Sequence, residues 1–274
     1  MMRSIVIGVL FLFLAFGMAE WMRRQSLFYP QKYPAGDWDV RALEIEPEEL
    51  TFEASDGTVL HGWLFRSPRA ESPLIVFFHG NGGNLTHRTA PAIGLARTGF
   101  DVFLFDYRGY GRSEGRPTER GLYDDSLAAW DVMRSRHQGP MIAYGESLGG
   151  PYAAYVASIR EPCAVIADST FPSLGSVARA VYRPIPIHWL LRPGLETARH
   201  LEAAAVPVLV MHSSNDGVIP FRLGRELFDR LDVPKEFYEV EDGMHSALFW
   251  ADPEGYLQSI RSFVGTHCEN GTGG

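Results

Sequence analysis

Short apolar runs alternate with longer helical stretches from residue 74 onward, and this alternation limits the possible folds more than any other feature of the chain. Each run is apolar at successive positions, which is typical of strands covered on both faces. The runs lie at residues 74–78, 102–105, 141–144, 164–167, 206–211 and 237–240. Helix candidates lie at residues 122–136, 148–158, 222–231 and 253–264. We therefore predict one α/β domain, with a twisted, mostly parallel sheet and helices on both faces.

Two strand candidates precede this pattern and predict an antiparallel hairpin. Residues 49–54 and 59–65 have the required residue types, and Asp56-Gly57 between them is a favoured turn pair. We place the hairpin at the edge of the sheet. The α/β domain then spans residues 49–264.

The charge of the chain limits its partners. The formal net charge is -8 and the isoelectric point is about 5.6. Phosphate backbones require a basic surface, and no run of Lys or Arg provides one, so nucleic acid is excluded as a partner.

The two cysteines show no metal-binding spacing. Cys163 opens an apolar run and is expected to be a buried strand residue. Cys268 lies in a polar tail, residues 265–274, which we predict to be disordered. We expect the two cysteines to remain unpaired, and cysteine usage therefore leaves the redox compartment open.

The composition of residues 1–24 is typical of a membrane anchor or a signal peptide. An uninterrupted apolar run covers residues 5–19. A transmembrane helix needs about 20 mostly apolar residues, and residues 4–22 nearly provide them. A signal peptide has a shorter apolar core followed by small residues, and a cleavage site ending at Ala19 fits that pattern. We favour the anchor and keep the cleaved signal as the alternative.

Basic residues flank the apolar run in similar numbers on both sides and give little information about its orientation. Our expectation is a membrane-associated protein with an extracytoplasmic catalytic domain, or a secreted protein if the segment is cleaved. Residues 25–48, rich in proline and aromatic residues at their start, form a connector to the domain.

The sequence GESLG at residues 145–149 predicts a catalytic serine, because it lies between a strand candidate and a helix candidate. A nucleophilic serine at that junction occupies a very sharp turn, so that its hydroxyl projects from the edge of the sheet. Gly145 and Gly149 remove side chains that would clash in such a turn. Ser147 is therefore the predicted nucleophile.

Two further residues complete a predicted catalytic triad. His245 follows the last strand candidate and is the predicted general base. Asp216 follows the preceding strand candidate and is the predicted acid that orients the histidine. Asp168, at the end of another strand candidate, is the alternative acid, and we interpret it as a loop-capping residue. His79 and His212 are interpreted as structural.

These motifs together resemble the α/β-hydrolase superfamily over residues 49–264. The segments 26–34 (SLFYPQKYP), 79–84 (HGNGGN) and 106–111 (DYRGYG) are similar to one branch, the membrane-anchored hydrolases with small lids called serine-aminopeptidase-like. Characterised members of that branch cleave acyl esters or thioesters of lipids.

The resemblance implies further features of the site. The backbone N–H groups of Asn81 and Leu148 would form the oxyanion hole. A short helical cap is expected over residues 171–205. Its apolar residues are expected to line an acyl groove: Phe171, Val181, Tyr182, Ile185, Ile187, Trp189, Leu190 and Leu191. Asp106 and Arg108 are interpreted as ion-paired residues of a rigid turn, rather than as ligands of a charged substrate.

We therefore expect a serine hydrolase that cleaves a carboxylic ester or a thioester of a small molecule or lipid through an acyl-enzyme. The alternatives are an aminopeptidase-like amide hydrolase, an acyltransferase and a catalytically silent binding scaffold. No cofactor and no metal are implied, and the oligomeric state is left open.

Overall fold

The computed structural model describes residues 27–181 and 194–269. In these ranges the strands are β1 (Tyr29–Pro30), β2 (Glu48–Glu53), β3 (Val59–Phe65), β4 (Leu74–Phe78), β5 (Gly82–Gly83), β6 (Asp101–Asp106), β7 (Met141–Glu146), β8 (Ala164–Asp168), β9 (Val208–Ser213) and β10 (Lys235–Val240). Eight of them form one sheet in the spatial order β10-β9-β8-β7-β4-β6-β3-β2. The strands β1 and β5 form a separate two-residue parallel pair.

Parallel pairing joins the strands from β10 to β6 in that order. The strand β3 pairs antiparallel with β6 and with β2, so the predicted edge hairpin is confirmed. Because parallel strands end at the same edge of a sheet, the residues after β4, β7, β8, β9 and β10 lie along one edge. All predicted site residues lie in these positions.

Helices cover both faces of the sheet. They are α1 (Thr89–Thr98), α2 (Glu119–Arg136), α3 (Gly149–Arg160), α4 (Leu174–Val181), α5 (Thr197–Ala204), α6 (Phe221–Arg230), α7 (Leu248–Ala251) and α8 (Pro253–Val264). The sequence pattern did not identify α1, because most apolar residues of this ten-residue helix are small alanines and the helix contains proline and glycine. It begins after a 3-10 turn, Leu85–Arg88, whose first N–H groups are capped by Asn84.

The strands β4, β6, β7 and β8 are buried at every residue. Their side chains alternate between two apolar clusters, one on each face of the sheet. A double-sided core of this kind holds the strand ends in fixed positions, which a catalytic site at that edge requires.

The expectation that the cysteines are unpaired is wrong. A disulfide joins Cys163, just before β8, to Cys268, with the two Cα atoms 5.3 Å apart. The chain continues after α8 as a helical turn, Gly265–Glu269, and this turn brings Cys268 against the sheet. The predicted disorder is therefore wrong for these five residues, and residues 270–274 lie outside the described residues.

The predicted cap lies between β8 and β9. Its described part consists of two short helices, α4 and α5, which agrees with the expected short helical cap. Residues 182–193, with six of the predicted groove residues, lie outside the described part of the chain.

Residues 1–26, which contain the predicted anchor or signal peptide, also lie outside the described residues. Within residues 27–181 and 194–269, every helix is too short or too polar to cross a membrane.

Candidate active site

Ser147 occupies the sharp turn between β7 and α3. Its φ angle is 51°, in the left-handed region that residues with a side chain rarely adopt. A Cβ on Gly149 would overlap the carbonyl oxygen of Phe78, and one on Gly145 would lie 2.6 Å from the Cα of Gly150. The glycines of the motif are therefore required by packing, as the sequence predicted.

Hydrogen bonds fix the backbone of this turn. The N–H of Ser147 donates to the carbonyl oxygen of Asp168 at 2.8 Å. The hydroxyl of Thr170 donates to the carbonyl oxygen of Ser147, also at 2.8 Å. These bonds hold the strained turn against the end of β8.

The structure brings the three predicted triad residues together. The Ser147 Oγ lies 2.8 Å from the Nε2 of His245. The Nδ1 of His245 lies 2.7 Å from the Oδ2 of Asp216. With the imidazole proton on Nδ1, His245 donates a hydrogen bond to the carboxylate of Asp216, and its Nε2 accepts one from the hydroxyl of Ser147. This is the geometry of a general base.

Asp216 is held as a carboxylate. Its Oδ1 accepts the N–H groups of Val218 and Ile219, both at 2.8 Å. Its Oδ2 also lies 3.4 Å from the Nε2 of His212, which donates to the carbonyl oxygen of Ile219 at 2.9 Å. Burial alone would raise the pKa of Asp216, but the contacts with His212 and His245 outweigh it and lower the pKa.

The alternative acid, Asp168, has other partners. It accepts hydrogen bonds from the hydroxyls of Tyr144 and Ser169, the latter at 2.8 Å. The Tyr144 hydroxyl in turn lies 2.6 Å from that of Tyr256. Burial, together with the negative charge of Glu146, raises the pKa of Asp168 to about 6.

His79 supports the glycine loop, as expected. Its Nδ1 lies 2.7 Å from the carbonyl oxygen of Gly80, and its ring packs against Tyr107. Arg108 pairs with Asp125 and Asp56, which agrees with its interpretation as part of a rigid turn.

Asp106 is also part of that framework. It is buried, and its Oδ1 accepts the N–H of Leu85 at 2.8 Å. Both charged residues of the DYRGYG segment, Asp106 and Arg108, thus bind other residues of the fold.

The side chain of Asn81 joins the glycine loop to the connector. Its Oδ1 accepts the N–H of Tyr29 at 2.9 Å and the hydroxyl of Tyr110 at 3.0 Å. Its Nδ2 donates to the carbonyl oxygen of Leu27 at 2.7 Å. Among the turn and loop hydrogen bonds of the described residues, the backbone N–H groups of Asn81 and Leu148 are not donors.

Two residues of the site were not identified from the sequence. Arg88 and Glu146 form a buried ion pair with two hydrogen bonds, at 2.8 and 3.1 Å. The glutamate inside the GESLG motif is the sequence signal that could have indicated a buried cation nearby. Its arginine partner lies 58 positions away and has no distinctive sequence context.

A cavity of about 460 Å³ opens onto Ser147 and His245. Its apolar walls come from the connector, the cap and the turn after β9: Leu27, Tyr29, Phe171, Leu174, Val177, Leu195, Val218 and Ile219. Phe171 thus lines the cavity as predicted, whereas Val181 is half exposed and lies outside its wall. Asn81, Leu148, Arg88 and Glu146 also border it.

Comparisons with known proteins identify the family. Residues 73–180 match the family model for the alpha/beta hydrolase fold. The chain is also 33% identical over 240 residues to the alpha/beta hydrolase domain-containing protein 17B of Homo sapiens, which covers 85% of this chain and 81% of that protein. This chain belongs to the α/β-hydrolase family. The predicted fold and the superfamily resemblance are therefore confirmed.

Two further similarities concern a relative in sequence and a solved structure. The α/β-hydrolase is 32% identical over 193 residues to the lysophosphatidylserine lipase ABHD12 of Danio rerio, covering 61% of this chain and 49% of that protein. The structure of the Pyrococcus furiosus esterase Pf2001 has a TM-score of 0.71 and 20% identity, covering 88% of this chain and 98% of that one. The latter similarity shows the shared fold, and membership of the family makes the chain a hydrolase.

Proposed function

We propose that this α/β-hydrolase cleaves carboxylic esters or thioesters by nucleophilic catalysis at Ser147. The observation that carries the proposal is the continuous chain of hydrogen bonds from the Ser147 hydroxyl through His245 to Asp216. A serine in that arrangement loses its proton to the imidazole as it attacks, and the buried carboxylate stabilises the imidazolium that forms.

The reaction proceeds in two steps, acylation of Ser147 and hydrolysis of the acyl-enzyme. The Ser147 Oγ attacks the carbonyl carbon while the Nε2 of His245 takes its proton, and the negative charge on the carbonyl oxygen is held by the N–H groups of Asn81 and Leu148. The imidazolium protonates the leaving alcohol or thiol, and an acyl-enzyme remains. Water then attacks the acyl carbon, gives a proton to His245, and the free acid is released as Ser147 regains its proton.

The substrate we propose is a lipid or another ester with an apolar acyl group. The walls of the cavity are mostly apolar, as in sites that bind such groups. Leu27, which directly follows residues 1–26, and Tyr29 are part of those walls. A relative of the chain is named as a lipase, which agrees with this substrate class.

We also propose that residues 1–24 associate the protein with a membrane and that the catalytic domain is extracytoplasmic. The disulfide between Cys163 and Cys268 supports this location, because such bonds persist mainly in oxidising compartments.

The proposal is tested by labelling the full-length protein with a fluorophosphonate, which reacts with activated serine hydroxyls. We expect Ser147→Ala to abolish labelling and turnover of p-nitrophenyl butyrate. Ser135→Ala, on the exposed surface of α2, is the control and should leave both unchanged. Labelling that persists in the Ser147→Ala protein would contradict the proposal, and turnover confined to aminoacyl amides would favour the amide hydrolase.

A further inference from the structure

Arg88 connects the two backbone segments that carry the proposed oxyanion donors. Its Nη1 donates to the carbonyl oxygen of Gly82 at 2.6 Å, and Gly82 directly follows Asn81. Its Nε and Nη2 donate to the carboxylate of Glu146, which directly precedes Ser147. One guanidinium group therefore links the glycine loop to the nucleophile turn.

The ion pair is largely shielded from solvent. The side chain of Arg88 is 12% exposed and that of Glu146 is 6% exposed. Burial alone would raise the pKa of Glu146, but the adjacent guanidinium outweighs it and lowers the pKa. Buried ion pairs add little net stability compared with apolar residues of the same size, so stability alone is a weak explanation for this pair. A bidentate arginine–carboxylate pair fixes both distance and orientation.

The glycine loop packs closely on this pair from both ends. A Cβ on Gly80 would lie 2.6 Å from the Oε1 of Glu146, and a Cβ on Gly83 would lie 3.0 Å from the Nη1 of Arg88. Asn81 and Gly82 lie between these two contacts. Movement of the loop relative to the nucleophile turn would therefore break hydrogen bonds of the pair.

We propose that Arg88 and Glu146 are positioning residues that set the distance between the N–H of Asn81 and that of Leu148. The proposal rests on the function proposed above. It concerns neither the nucleophile nor the proton transfer, because Arg88 and Glu146 act only through the backbone segments that they join. The carboxylate of Glu146 neutralises Arg88, so the pair is also poorly suited to bind an anionic substrate group.

The test compares Arg88→Lys and Glu146→Gln with the wild-type protein, using neutral p-nitrophenyl butyrate. Loss of one oxyanion donor typically lowers the rate by ~10²–10³-fold. We expect kcat to fall by about 10²-fold in both variants with little change in KM, because the donors act mainly in the transition state. The affinity for an alkylboronic acid, whose adduct with the serine is tetrahedral, should fall in parallel.

A double variant separates positioning from simple charge balance. Arg88→Gln/Glu146→Gln removes both charges, so it should recover thermal stability relative to Glu146→Gln while its kcat remains low. Recovery of kcat in the double variant would overturn the proposal. Arg160→Gln, which breaks an exposed bidentate pair with Asp131, is the matched control and should keep the wild-type kcat.

Three other outcomes are also decisive. If Arg88 binds substrate instead, Arg88→Lys will raise KM for an anionic ester such as p-nitrophenyl hemisuccinate while kcat is unchanged, and the positioning role fails. If the wild-type protein turns over no ester and Ser147 is not labelled, the proposed function itself fails. Wild-type turnover with unaffected Arg88 and Glu146 variants would overturn the positioning role alone.

Discussion

The hydroxyl of Tyr144 donates a hydrogen bond to the Oδ2 of Asp168, and this bond occupies the carboxylate at the end of β8, the strand that pairs with β7. The acid that contacts His245 is instead Asp216, at the end of the next strand but one from β7. Two buried carboxylates thus lie at strand ends on the same edge of the sheet. Their hydrogen-bond partners distinguish their roles, since Asp216 contacts His245 and Asp168 contacts Tyr144.

Replacement of these two acids should have unequal effects. Asp216→Asn removes the acceptor that fixes the tautomer of His245, and the corresponding change in a triad enzyme lowers kcat by ~10⁴-fold. We expect a loss of similar order here, and a loss of less than about tenfold for Asp168→Asn. Steady-state kinetics on p-nitrophenyl butyrate measures both. A larger loss in Asp168→Asn would reverse the assignment of the acid.

The stability of the protein should depend on pH through Asp168. Burial raises the pKa of this group from the usual 3.8 to about 6, so the folded protein binds its proton more tightly than the unfolded chain does. Its stabilising contribution is full below about pH 3.8 and is lost as the pH rises through about 6. Relative to Asp168→Asn, the wild-type free energy of unfolding should fall by about 2 kcal/mol between pH 4.5 and 7.5. Chemical denaturation at several pH values measures the difference, and a constant difference would show that Asp168 does not titrate in this range.

The disulfide should contribute strongly to stability. It closes a loop of 105 residues, for which loss of entropy in the unfolded chain predicts a stabilisation of ~4–5 kcal/mol. We expect Cys163→Ser/Cys268→Ser to lower the free energy of unfolding by up to that amount in guanidinium chloride. Reductant should destabilise the wild-type protein to a similar extent and leave the variant unchanged. An effect of reductant on the variant would point to a cause other than this bond.

Acyl-chain length should control the rate up to the capacity of the cavity. Each buried methylene contributes ~0.8 kcal/mol, which corresponds to about a fourfold increase in kcat/KM. In a series of p-nitrophenyl esters we expect kcat/KM to rise from short to medium chains and then level off, because the cavity holds only about 460 Å³. A series with no dependence on chain length would argue against an acyl-binding role for this cavity.

The N-terminal segment should determine how the protein associates with membranes. If residues 1–24 form an anchor, the full-length protein will remain in the membrane fraction after a wash at high pH. Edman sequencing of the mature protein distinguishes the two alternatives, since a first residue of Glu20 identifies the segment as a cleaved signal peptide. In that case the protein should be recovered in the soluble extracellular fraction.

Local patterns in the sequence were sufficient for most of the fold. The strand candidate at 74–78 and the helix candidate at 253–264 have the bounds found in the structure. The strand is buried at every residue, the helix buries one face at helical spacing, and the ends of each are marked by proline, glycine or polar residues. Helix α1 escaped prediction because its stability comes from packing on the sheet and from the capped turn before it, not from a strong apolar periodicity.

The sequence by itself determined the class of the sheet, the position of the nucleophile turn and the order of the three candidate catalytic residues. These features depend on local sterics and on the periodicity of burial, which neighbouring residues encode. Only the tertiary structure decided that Cys163 meets Cys268, that Arg88 meets Glu146 and that His245 meets Asp216 rather than Asp168. Each of these contacts joins residues that are 29 to 105 positions apart. It is therefore set by where the packed strands end and not by any pattern along the chain.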